Sequence, residues 1–164
     1  METVTLTFDF TNLQSALSSF VYELINTYKN LLIRDNKKAS GNLISSLKPV
    51  QIEFSNNKIQ GSIEIASYWK YVEYGRRPGK FPPMNKILDW IKIKPVIPRP
   101  MNGLKAPSEK QLAFLISRKI ARDGIQPGNQ MKEALDLTWS KYEKQISDAI
   151  SKDLDEAIDL VTFS

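Results

Sequence analysis

The chain reads as an α+β protein. The expected architecture is a small antiparallel sheet with a β-hairpin packed against a long N-terminal helix, plus further helices that include a long C-terminal one. Three observations predict it. Apolar residues recur every three or four positions over 13–34 and again over 131–158, which places them on one stripe of a helix. Residues 50–65 alternate about an Asn56-Asn57 pair, as the two arms of a hairpin do. Helical stretches over 84–92 and 109–122 follow the hairpin, so the sum is α+β.

Taken in order, Val4, Leu6, Phe8 and Phe10 alternate with Thr5, Thr7 and Asp9, the pattern of a half-buried strand over 3–10. Thr11 or Asn12 then caps a helix from Leu13 to Arg34, whose stripe is Leu13, Leu17, Phe20, Leu24, Tyr28 and Leu31, widened by Val21, Ile25 and Leu32. Ser40-Gly41-Asn42 forms a loop into a short helical turn, Leu43 to Leu47, which Lys48-Pro49 stops. A two-residue turn at Asn56-Asn57 sets Phe54 opposite Ile59, Ile52 opposite Gly61 and Val50 opposite Ile63, all facing inward. Ala66 to Glu73 is a short helix or an aromatic-rich turn. Pro82-Pro83 opens a helix to about Lys92 that buries Met84, Ile87, Leu88 and Ile91. Three prolines between 95 and 100 make a stiff, extended arm at about 94–107. Ser108 with Gln111 forms a capping box for a helix Glu109 to Arg122 that buries Leu112, Leu115, Ile116 and Ile120. Gly124 is suited to a left-handed exit, with Ile125 folding back. Asn129 caps the last helix, whose stripe is Met131, Leu135, Trp139, Tyr142, Ile146, Ile150, Leu154 and Ile158. No repeat or boundary divides the sequence, so the expectation is a single domain over 1–164.

Composition narrows the chemistry. At 164 residues the chain can bury a core without staples, and it has neither cysteine nor histidine. Disulfides, thiolate metal sites, Ser-His and Cys-His pairs and nearly all zinc chemistry are excluded. Nothing implies a cofactor. The acidic, alternating N-terminus is unlike a signal peptide, and no apolar run approaches the roughly 20 residues that cross a bilayer. Charge is unevenly spread. Residues 76–122 hold 12 basic and 2 acidic side chains, whereas 123–164 hold 4 basic and 9 acidic. A strongly positive middle beside a negative tail suits acidic partners, and copies meeting head to tail would be complementary.

The stretch that stands out is Tyr68 to Pro83, YWKYVEYGRRPGKFPP. Tyr68, Trp69, Tyr71 and Tyr74 are divided between core packing and interface anchoring. Glu73 precedes Arg76 and Arg77, so it pairs with an arginine or is a solvated surface acid. Gly75, Pro78 and Gly79 fix a turn that carries Arg76, Arg77 and Lys80 past the aromatic surface to Phe81. With Pro98 and Arg99 of the arm, these are the candidate partner-contact residues, the tyrosines mainly holding the cations in place.

Here the sequence resembles the tail-completion, or neck, proteins of tailed bacteriophages. The matching parts are Ser40-Gly41-Asn42-Leu43, the hairpin 50–65, and Tyr68-Trp69-Lys70-Tyr71-Val72-Glu73-Tyr74-Gly75, in the family's order over about 11–83. The middle, from Phe81 to Gly128, is similar to the enlarged form in crAss-like and related phages. Two departures stand out. Arg76 replaces a common threonine, and two helices with the proline arm are inserted before the final helix. The resemblance implies a non-enzymatic virion protein, made in the host cytoplasm. It would form a ring at the head–tail junction, between a portal-side adaptor and tail components, with genome DNA passing through.

Rival readings remain beside it. The basic middle also fits a DNA-binding accessory protein. The helices over 84–92 and 109–122 lie about 16 residues apart, too far for a helix-turn-helix. Asp153, Asp155, Glu156 and Asp159 could hint at a metal, but without a glycine-bearing loop they read as a solvated helix face. No constellation supports an enzyme.

Overall fold

A computed structural model describes residues 9–37, 40–55, 58–94, 96, 98 and 106–162. The elements are α1 (Thr11–Arg34), α2 (Asn42–Ser46), β1 (Lys48–Pro49), β2 (Glu53–Ser55), β3 (Lys58–Gln60), β4 (Ile63–Glu64), α3 (Trp69–Glu73), α4 (Met84–Ile93), α5 (Glu109–Asp123) and α6 (Gln130–Thr162). The fold is α+β, with long helices at each end and short antiparallel ladders between. The expected strand over 3–10, the turn residues Asn56 and Asn57, and most of the proline arm lie outside the described residues.

The chain divides into two compact units, each built from separate segments. The first comprises Met1–Leu31, Leu47–Glu64 and Met131–Ser164; the second comprises Leu32–Ser46 and Ile65–Gln130. The sequence range of the second unit includes the described residues of the proline arm, 94, 96, 98, 106 and 107.

In the first unit α1 packs on α6. Leu13, Ala16, Ile146 and Ala149 form one buried cluster, with Phe10, Leu17, Phe20 and Tyr142 against it. The ring of Phe20 meets Trp139 and Tyr142 edge-on, at 6.2 and 6.1 Å between centroids. Such pairs add about 0.5–1.5 kcal/mol to their area burial. The hairpin lies on α1: a Cβ built on Gly61 would stand 3.3 Å from Val21 Cγ2, so the absence of a side chain there allows the strand to approach the helix.

The cap of α1 differs from expectation. Phe10, whose carbonyl accepts from the Gln14 amide, has no side-chain oxygen to offer the first turn. Asp153 of α6 supplies it instead. Its carboxylate accepts from the amides of Asn12 (3.0 Å) and Leu13 (2.8 Å) and from Asn12 Nδ2 (2.7 Å). Asp153 is only 1% exposed, so it is not part of a solvated acidic face. Burial pushes its carboxyl up, but the three hydrogen bonds outweigh that and leave it below the usual range.

The hairpin register is as expected next to the turn, with Phe54 opposite Ile59 and Glu53 opposite Gln60. Farther out it slips by one: Pro49, not Val50, faces Ile63, and Lys48 faces Glu64. Three residues, 50–52, stand against two, 61–62, which breaks the sheet into two ladders in the manner of a bulge. Ile59 is exposed rather than inward-facing.

The faces of α5 and α6 also depart from their apolar periodicity. On α5, Ala113 and Ser117 are buried while Leu115 is exposed, and Met84 of α4 is exposed as well. On α6 the buried positions include Ala134, Thr138, Ile146, Ala149, Asp153 and Ala157. Leu135, Trp139, Ile150, Leu154 and Ile158 of the expected core stripe are exposed. Small side chains let a helix backbone approach its neighbour closely, and here that contact takes the buried side.

Candidate interaction site

The stretch 68–83 lies in the second unit, held by its backbone. After α3, Gly75 turns the chain at φ 67°, and Arg76 forms a two-way bridge with Ile125: amide to carbonyl 2.9 Å one way and 2.8 Å the other. The Gly79 amide donates to the Ala121 carbonyl at 2.8 Å. The Glu73 carbonyl accepts from the amides of Gly128 (2.9 Å) and Asn129 (3.2 Å). The loop 75–79 is thereby clasped to the exit of α5 and the entry of α6. Glycine is required on both sides of the clasp. A Cβ on Gly75 would strike the Ile125 carbonyl oxygen, and one on Gly124, at φ 75°, would strike the Arg76 carbonyl oxygen.

The side chains sort differently from expectation. Arg76 Nη2 donates to the Lys80 carbonyl at 2.6 Å, so this cation closes its own loop, while Arg77 and Lys80 are exposed. Glu73 is 3% exposed, which removes the solvated-acid reading and keeps its carboxylate off the outer surface. Tyr71 and Tyr74, at 64% and 66% exposed, form the surface rather than support it. Trp69 is half-buried, 5.8 Å from the Tyr74 ring, and exposed Phe81 stacks on Phe114 at 6.2 Å. The outer face of the clasp is therefore aromatic and cationic. Pro98 is half-buried, and Arg99 lies outside the described residues.

Beside this face is a groove of about 580 Å³. Ile87, Ile116, Ile120 and Ile125 line it together with the rings of Tyr68, Tyr71 and Trp90. Lys37, Lys86 and Lys94 also line it, and Lys94 Nζ donates to the Asn36 carbonyl at 2.7 Å. Asp35, the acidic residue among the described lining residues, is held by the Arg34 guanidinium and by Gln130 Nε2, which push its carboxyl down to about 2. Trp90 was not singled out from the sequence. The available signal was its position: a tryptophan off the Met84-Ile87-Leu88-Ile91 stripe is an aromatic ring on the outer side of a helix.

Among the described residues no group of three or more acidic side chains is placed to hold a metal ion, and no helix is long and apolar enough to cross a membrane. Comparison with known proteins finds no matching family model, no matching curated protein and no matching solved structure.

Proposed function

We propose that this chain is a structural subunit of a tailed-phage neck, assembling as a ring at the head–tail junction between a portal-side adaptor and tail proteins. It works by contact rather than by catalysis. The observation that carries this reading is the exposed aromatic-cationic face of Tyr71, Tyr74, Phe81, Arg77 and Lys80 on a backbone fixed by the Arg76–Ile125 bridge. Rigid aromatics and arginine are the residue types enriched at protein interfaces, and a preset backbone lowers the ordering cost of binding. The order of G-N-L step, hairpin and Y-W-K-Y-V-E-Y-G supports the same assignment through its resemblance to neck proteins.

Double charge reversal, Arg77→Glu with Lys80→Glu, tests it. Both side chains are exposed, so the variant is expected to fold with stability within about 0.5 kcal/mol of the parent. Incorporation into particles should be lost. A variant that folds and is incorporated normally would remove the face from the assembly. A second reading, binding of duplex DNA, is favoured by the excess of 12 cations over 2 acids in residues 76–122. It requires a mobility shift whose affinity falls steeply with salt.

A further inference from the structure

We propose that copies of this chain join head to tail, the C-terminal half of α6 on one copy seating its apolar stripe in the aromatic groove of the next. The proposal rests on the ring reading above and names the two surfaces that would form the ring.

The donor surface is Ile150, Leu154 and Ile158, exposed at successive four-residue steps. They span about 12 Å along one helix side, the spacing by which a helix engages a groove. Exposed Asp155 and Asp159 run alongside. The acceptor is the groove of the second unit, with isoleucines and the Tyr68, Tyr71 and Trp90 rings for the stripe and exposed Lys37 and Lys86 for the acids. Asp35 does not oppose this, because Arg34 and Gln130 already occupy its carboxylate.

Charge decides both occupant and geometry. The groove draws much of its lining from the segment with 12 cations and 2 acids, and the stripe from the segment with 4 cations and 9 acids. A groove with an isoleucine-rich lining offers a nucleic acid little, whereas an acid-flanked apolar helix complements both its lining and its charge. Symmetric pairing is disfavoured: stripe on stripe would set the acids of two copies together, and groove on groove would set lysines together. Donor and acceptor therefore differ, and a heterologous contact of that kind closes into a ring or extends as a filament.

The absence of cysteine makes a direct test available. Full-length Gln126→Cys and Ser151→Cys chains, exposed positions beside the groove and the stripe that leave every proposed contact in place, are mixed and treated with a short bis-maleimide. Docking holds the two thiols at millimolar effective concentration against micromolar in bulk, so mixed dimers should form on the order of a thousandfold faster than between Gln126→Cys and a control Ser140→Cys chain. Adding Leu154→Glu to the Ser151→Cys chain should return the rate to that of the control. Mixed dimers no faster than the control, or a predominance of like-with-like dimers, would overturn the interface. The outcome is separable from the neck reading: cross-linking by a chain absent from particles would sink the neck and keep the contact. A particle protein that fails to cross-link would do the reverse.

Discussion

Asp153 shows how much one residue can carry. It satisfies two first-turn amides of a helix that starts 142 residues earlier and whose own N-cap position, Phe10, offers no side-chain oxygen. Asp153→Ala should therefore cost about 2–3 kcal/mol, read as a lower denaturation midpoint with an unchanged slope. Its folded pKa is depressed, so its contribution is full above the ordinary carboxylate pKa of about 4 and is lost as pH falls through the folded value. The gap between parent and variant should shrink in acid; a gap constant from pH 7 to pH 2 would contradict the cap. Nothing in the sequence pairs Asp153 with Asn12, because caps are legible only when both partners are local. The Ser108–Gln111 box, three residues apart, is legible and is present in full. At the clasp, Arg76 and Arg77 look equivalent in sequence, and only the closure of the loop onto the Lys80 carbonyl separates them.

At the scale of elements, periodicity located the helices well and their faces poorly. The bounds of α1, α4 and α5 fall within two residues of those expected, since caps, prolines and Gly124 are local signals. The buried side of α6 is another matter. Its apolar stripe is real, but much of it faces outward, and alanines share the inner side with Ile146. Ala149→Leu should cost roughly 1–3 kcal/mol through overpacking against Leu13 and Ala16, whereas Leu154→Gln should change stability by less than about 0.5 kcal/mol. The reverse order in a melt series would return the stripe to the core. In the hairpin, turn geometry specifies only the nearest pairs. The extra residue at 50–52 has no sequence mark, so the outer register was lost.

At the scale of the molecule, what sequence and structure share is polarity. A cationic, aromatic middle and an acidic tail with an exposed apolar stripe give one chain two segments of unlike charge. The candidate site was legible as a stretch, because glycines, prolines and aromatics mark it locally. The groove beside it was not, since it gathers residues from 35 to 126. The role proposed for this chain is that of a ring subunit in a phage neck. Its most direct test is imaging, with protein composition, of purified tailed particles from cells carrying the gene. The chain is expected in several copies per particle, as a ring at the head–tail junction; tailed particles complete without it would rule that role out.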